Sequence, residues 1–218
     1  GQGKIGLANG VLGLYPTKGS IIFNKEPLVL NDTHGILEKG ISFVSEDRRG
    51  VGLLLDSSIE DNIMVTTMQV KNEFLKNYGP IKLVDAKKVR HHANNMIEVL
   101  DIRCTGPLQP TRRLSGGNQQ KVCLARAITL EPEILFVSEP TRGIDIGAKK
   151  LVLDMLVEMN KTKGMTVVVT SSELAELRSV CDRIAIVAEG KLEGILSPSD
   201  SDADFGLMMS GEYNKYHN

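Results

Sequence analysis

Residues 133–145 read EILFVSEPTRGID. Glu133–Ser138 is a short, nearly continuous apolar run, the pattern of a strand buried on both faces of a parallel sheet. The run ends in Ser138-Glu139, and the turn-forming residues Pro140-Thr141 and Gly143-Ile144-Asp145 follow. Open α/β sheets collect ligand chemistry at the carboxyl ends of their strands. A carboxylate at that point, Glu139, is placed to polarise a water for attack on a terminal phosphate. An acidic residue after a strand also starts turns, and Glu139 alone does not separate the two readings.

Outward from this stretch, apolar runs alternate with helical patterns. Asn118–Leu130 reads as a helix before the strand. Ala148–Thr162 reads as a helix after it, with Val152, Met155, Leu156 and Met159 on one face and Gly164 as its stop. Met165–Thr170 (MTVVVT) is a second buried strand, and Gly40–Ser45 (GISFVS) a third. Arg183–Val187 and Lys191–Leu196 make a hairpin around Glu189-Gly190. Ser20–Asn24 and Leu28–Leu30 make another around Lys-Glu-Pro. From about Ser57 to Leu100 the spacing turns helical, with Met96, Val99 and Leu100 on one face, and no strand is expected there. This stretch reads as a helical insertion. The fold class is α/β with a mainly parallel sheet. Ser197–Asn218 reads as a loose polar tail carrying one short helix.

The 218 residues hold 26 Lys+Arg against 27 Asp+Glu, a net charge of −1, which gives no support to nucleic-acid binding driven by charge. A hydrophobic fraction of 41% and a charged fraction of 24% exclude a disordered chain. Aromatics are few and Trp is absent, against a stacking surface for single strands. Cys104, Cys123 and Cys181 show no ligand spacing and read as reduced thiols. Apolar runs are strand-sized, well short of the ~20 residues that span a bilayer. The chain begins at Gly1 without Met, as a piece or a processed form of a longer protein does.

Leu114–Gln120 reads LSGGNQQ. Ser115 is placed to cap the following helix, and Gly116-Gly117 allow close backbone approach. The unpaired N–H groups of such a helix start favour an anion such as phosphate. A glycine loop before a capped core helix is the plainer alternative. At the start, Gly1-Gln2-Gly3-Lys4 has the form of the end of a phosphate-binding loop, G-x-x-x-x-G-K-[ST], in which backbone amides and the Lys hold phosphates.

LSGGNQQ followed by EILFVSEPTRGID resembles the ATP-binding cassette (ABC) ATPases, and the resemblance runs over nearly the whole chain. LSGGNQQ is similar to the signature motif, EILFVSEP to the Walker B strand, Gly143–Asp145 to the D-loop, and Gly1–Gly6 to the P-loop. Gly13 and Gly19 also fall about where that family has glycines. The resemblance implies a P-loop NTPase fold, a RecA-like core with an inserted α-helical subdomain. The implied division is core at 1–51, helical subdomain at 52–112, core again at 113–198, and a polar tail at 199–218. SEDRRGVGLL at 45–54, NQQK after the signature and SSELAEL at 171–177 resemble bacterial importers of simple sugars of the ribose or galactose type, and there the second, C-terminal cassette of a polypeptide carrying two. The first P-loop glycine, the strand before it and the adenine-stacking aromatic would then precede residue 1.

Four departures from the family pattern concern one site. Ile5 stands where a hydroxyl would bind Mg²⁺, and Ser138 where the Walker B Asp would hold it. Ser172 stands at the switch-histidine position and Glu46 at the Q-loop glutamine. The signature residues Leu114, Ser115, Gly116, Gly117 and Gln119, the catalytic Glu139 and the D-loop Asp145 are retained. In this family two cassettes sandwich each ATP between the P-loop of one and the signature of the other. The resemblance therefore implies ATP and Mg²⁺ as cofactors. Gly1, Gly3, Lys4, Ile5 and Gly6 would face the chain's own impaired site, and the signature would complete a second cassette's site. It further implies permease subunits in the membrane, a solute-binding protein, and a place at the cytoplasmic face of a bacterial membrane. A fully competent ATPase cassette and a non-transport member of the superfamily are the alternatives.

Other features carry less. Lys87, Lys88, Arg90, His91 and His92 read as a solvated helix face, and Arg48-Arg49 as a docking pair for a membrane subunit. Arg112-Arg113 serve nucleotide or solvent equally well. Cys123 reads as buried and inert.

Overall fold

Three strands set the frame, two of them buried on at least one face and the third, expected to be buried, only partly covered. The computed structural model describes residues 4–212, without the side chains of Lys4, Ile5 and Arg49. Strand β3 (Ile41–Val44) and strand β7 (Thr166–Thr170) flank β6 (Ile134–Ser138), all parallel, in the order β3-β6-β7. Register pairs Phe43 with Phe136 and Val44 with Val137, then Ser138 with Thr170. Alternation along these strands sorts the residues to two faces. Val44, Leu135 and Val137 enter the main core with helices α3 (Ile59–Lys71), α4 (Ala86–Val99), α5 (Gly116–Thr129) and α6 (Ile146–Lys163). Ile41, Phe43, Ile134 and Phe136 pack on the other face with Leu12, Leu28 and Ile36. Leu12 follows α1 (Lys4–Val11), and Ile36 lies in α2 (Thr33–Glu38).

The helices begin where polar side chains can close their first turns. Ser58 and Asp61 form a reciprocal capping box on α3. Asp85, Ser115 and Asp145 each accept from the third residue of α4, α5 and α6. Gly164 ends α6 with φ +65°, as its position after the apolar periodicity implied. On α6, Val152, Leu156 and Met159 are buried and Met155 is partly so.

Several expectations need correcting. The first hairpin pairs β1 (Ile22–Phe23) with β2 (Glu26–Pro27), and its turn is Asn24-Lys25, both at positive φ, not Lys-Glu-Pro. The 57–100 stretch is not free of strands: β4 (Leu75–Tyr78) and β5 (Ile81–Val84) form a hairpin turning at Gly79. Its strands are mostly exposed and so lack an amphipathic signal. On α4 the buried face is Val89, Ala93 and Met96, continued by Leu100, while Val99 is 59% exposed. The basic cluster on α4 is solvated only in part. Arg90 is paired with Glu60, and His92 bonds Thr129 at 2.9 Å and packs on Phe74. Burial holds the His92 imidazole below its usual pKa.

The C-terminal segment is not loose as far as residue 212. Helix α8 (Asp202–Met209) lays Phe205 and Met208 on the hairpin of β8 (Ile184–Ala188) and β9 (Lys191–Leu196), burying both with Ile184, Ile186 and Leu196. The Arg178 guanidinium lies 4.4 Å from the Phe205 ring.

Candidate functional site

The carboxyl ends of the parallel strands bring four of the expected residues to one edge of the sheet. Glu46 follows β3, Ser138 ends β6 with Glu139 next to it, and Ser172 lies just past β7. The Glu139 amide donates to the Thr170 carbonyl at 2.7 Å, extending the β6–β7 pairing by one residue. The backbone then turns at Glu139 into the left-handed region, φ +46°, a strained conformation for a residue with a side chain. The Ser172 hydroxyl donates to the Glu139 carboxylate at 3.1 Å. Ser138 is 1% exposed, and its hydroxyl accepts from Thr170 Oγ1 at 3.0 Å. Glu46 pairs with Arg142 at 3.4 Å, joining the loop after β3 to the loop after β6.

A buried carboxylate that the sequence reading passed over holds these loops together. Helix α7 (Leu174–Val180) carries Glu176, 9% exposed. Its Oε1 accepts from Thr141 Oγ1 at 2.5 Å and from Lys149 Nζ at 3.3 Å, and its Oε2 accepts from Ser171 Oγ at 3.1 Å. Ser171 Oγ in turn accepts from the Glu173 amide at 3.0 Å, closing a turn around Ser172. Lys149 also bonds Glu173 at 2.7 Å. That bond raises the Lys149 pKa and holds the Glu173 carboxyl below its ordinary value.

The second group of expected residues lies at the start of α5. Ser115 Oγ accepts from the Asn118 amide at 3.4 Å and from Asn118 Nδ2 at 2.9 Å. Neither bond uses the hydroxyl proton, which remains available to an acceptor. Asn118 Oδ1 accepts from the Arg103 amide at 2.9 Å. Ser115, Gly117, Asn118, Arg103, Lys121 and Asp145 line a groove of about 430 Å³. First-turn N–H groups of a 14-residue helix have no carbonyl within the helix, so this end offers donors to an anion.

The two signature glycines are occupied from within. A Cβ on Gly116 would stand 3.0 Å from the Gly143 carbonyl oxygen. One on Gly117 would stand 3.2 Å from Ala148 Cβ and 3.4 Å from Ile144. Their small size seats the 143–148 segment against the start of α5. Asp145 there caps α6 by accepting from the Ala148 amide at 3.0 Å.

Two expected contacts fall elsewhere. Gln119 does not face the groove: it is 2% exposed, and its Nε2 donates to the Thr111 carbonyl at 3.2 Å, because the fourth residue of the helix has rotated toward the core. Asn118 holds the groove-facing position instead. Leu114 is 8% exposed and packs in the main core. Arg48, read as a docking residue, lies against the signature segment: its Nη2 would be 3.2 Å from a Cβ on Gly143 and 3.7 Å from one on Gly116. Arg112 pairs with Asp56. Gly1 and Gly3 lie outside the described residues, as do the side chains of Lys4 and Ile5, and Gly6 is exposed on α1. Cys123 is buried, and burial pushes its thiol up to about 11.

An α/β core of parallel strands, functional residues at their carboxyl edge and a serine-capped helix behind a glycine pair together fit one family. The sequence profile of the ABC transporter family matches residues 1–142. The chain belongs to that family. It is 34% identical over 202 residues to the ribose import ATP-binding protein RbsA of Caldanaerobacter subterraneus subsp. tengcongensis, covering 92% of this chain and 39% of that protein. The RbsA of Bacillus licheniformis is 36% identical over 202 residues with the same coverage. The chain thus spans about two fifths of the length of these relatives. Among solved structures, it superposes on the ATP-binding cassette MJ0796 in a dimeric post-hydrolysis state bound to ADP and Pi, with TM-score 0.73 at 22% identity over 92% of this chain and 82% of that one. With cbiO1 from Clostridium perfringens, part of the ABC transporter complex cbiONQ, the TM-score is 0.71 at 23% identity, over 95% and 76%. These likenesses establish the ABC ATPase fold, a P-loop NTPase with a parallel sheet. No helix among the described residues is long and apolar enough to cross a membrane.

Proposed function

We propose that the chain is a nucleotide-binding cassette of a bacterial importer for a monosaccharide or similar small solute, working beneath permease subunits at the cytoplasmic face of the membrane. Similarity to ribose import ATP-binding proteins supports the substrate class. In this reading it is the second cassette of a pair, and a solute-binding protein feeds the permease. Residues 1–51 and 113–198 form the core, 52–112 the helical subdomain, and 199–218 the C-terminal segment.

We further propose that the chain's signature turn completes the ATP site of its partner cassette, while its own site handles Mg²⁺ poorly. One observation carries this: Ser115 caps α5 with its hydroxyl proton unspent, at the mouth of a groove lined by Asn118 and Arg103. Ser115, Asn118 and the first amides of α5 offer donors that a polyphosphate can accept, beside the Asp101 and Asp145 carboxylates that also line the groove, and ATP bound there would supply the anhydride bond whose hydrolysis resets the transporter. Ser115 would hold a phosphate oxygen, and the Gly116 and Gly117 amides would face it. At the strand tips the fit is poorer for Mg²⁺. Ser138 offers a neutral, buried hydroxyl already bonded to Thr170, where a hard cation prefers a carboxylate.

Calorimetric titration of ATP into the chain, with Mg²⁺ and with EDTA, tests the second proposal. Weak binding in both conditions is expected. Micromolar binding that Mg²⁺ tightens would overturn it. The Glu139–Ser172 bond favours a second reading, a competent ATPase with Glu139 as general base; that titration result would show the working ion site this reading needs, and loss of ATPase activity in Glu139→Gln would test the base itself.

A further inference from the structure

The two functional ends of this chain, the strand tips and the signature turn, are joined through one buried side chain. Glu176 reaches three elements at once. Through Ser171 it fixes the 171–173 turn that aims Ser172 at Glu139. Through Thr141, 2% exposed, it anchors the loop leading from Glu139 to Asp145. Through Lys149 it anchors the first turn of α6, where Ala148 stands so close to Gly117 that a Cβ on that glycine would come within 3.2 Å of it. The 143–148 segment in turn sits within van der Waals reach of both signature glycines.

We infer that Glu176 is a positioning residue that sets the signature turn and the Ser172–Glu139 pair in one register. A buried carboxylate with three donors tolerates little displacement, since any lost bond leaves a buried charge short of partners. A shift of the 171–173 turn therefore moves Thr141 and Lys149, and with them the wall against which Gly116 and Gly117 rest. The state of one site reaches the start of α5 through a chain of contacts within a single cassette. The consequence for catalysis in a partner cassette rests on the signature-donor reading above. The mechanical linkage does not.

Hydrogen exchange of the chain tests the linkage directly, because it reports local opening segment by segment. Glu176→Ala is expected to speed exchange at least tenfold at amides 116–119, together with 139–145 and 171–173. Glu176→Gln keeps an acceptor for Thr141 and offers Ser171 a donor, so it should stay within about threefold of the parent. Thr141→Val, which removes one spoke at constant shape, should loosen 116–119 while sparing 171–173, and it carries the test if Glu176→Ala does not fold. Val89→Ala, in the separate cluster of Met64, Phe74 and Val89, controls for general destabilisation and should leave 116–119 unchanged. The inference falls if 116–119 is unmoved in both Glu176→Ala and Thr141→Val, or if Val89→Ala loosens it equally. If the linkage holds while the ATPase activity of the assembled transporter ignores Ser115→Arg, the proposed function fails and the linkage stands.

Discussion

Ser172 donates its hydroxyl to Glu139 across the ends of neighbouring strands at 3.1 Å, and Glu139 makes that contact from a left-handed backbone conformation, φ +46°. Backbone strain of this kind persists only where the surrounding structure holds it in place. Asparagine tolerates the left-handed region better than glutamate. Glu139→Asn is therefore expected to raise the urea midpoint by the equivalent of about 0.5–1 kcal/mol. Destabilisation by more than that amount would show that Glu139 is not strained.

The Gly116–Gly143 approach sets a steric limit. A methyl at 116 would stand 3.0 Å from the Gly143 carbonyl oxygen, on backbone that cannot swing aside as a side chain would. Gly116→Ala should cost about 1–2 kcal/mol in chemical denaturation, despite alanine's better helix propensity. A stability equal to or above the parent's would mean that the 143–148 segment yields freely.

Asn62 is a wholly buried hub. It exchanges hydrogen bonds with the Leu54 backbone at 2.9 Å in both directions, and its Oδ1 and main-chain oxygen accept from Arg126 at 2.5 and 2.7 Å. Burial lowers the Arg126 pKa, so that cation depends on these acceptors. Asn62→Ala is expected to destabilise by about 3 kcal/mol, the scale for stranding a buried charged group. A loss under about 1 kcal/mol by urea unfolding would contradict the hub.

Cys123 makes alkaline stability measurable. Well below pH 9.0 the thiol is protonated in both states, but between about 9.0 and about 11 the unfolded chain is largely ionised while the folded chain largely keeps its proton. The unfolded state then binds fewer protons, so stability falls as pH rises through this window and levels off above it. The loss is on the order of 2–3 kcal/mol. The difference between parent and Cys123→Ala in urea unfolding should shrink by that amount from pH 8 to pH 11. A pH-independent difference would mean that the thiol ionises normally.

The central strands were legible because burial writes itself into sequence as apolar runs, as in Ile134–Ser138, while the β-branched run of Thr166–Thr170 marked a strand that is only partly covered. The 75–84 hairpin was not, since its exposed residues follow no face, and only Gly79 marked the turn. Phe205 and Met208 were lost in a Ser/Asp-rich segment, where two apolar residues three apart make a weak signal. At the site, Glu139 and Ser115 were legible from position, one at a strand tip and one before a glycine pair. Glu176 was not: its partner Thr141 lies 35 residues away, and nothing local marks a glutamate on a short helix as buried. Asn118 and Gln119 differ by one step of helix rotation, which the motif alone does not resolve.

In the proposed function this cassette lends its signature to a partner site while its own site contributes little turnover. The most direct test is the ATPase rate of the assembled transporter carrying Ser115→Arg or Glu139→Gln in this chain. Ser115→Arg, which puts a bulky side chain at the mouth of the groove, is expected to abolish activity. Glu139→Gln is expected to leave the rate within about twofold, less than the 10²–10⁴-fold that a working general base contributes. Equal loss from both substitutions would contradict the proposed function.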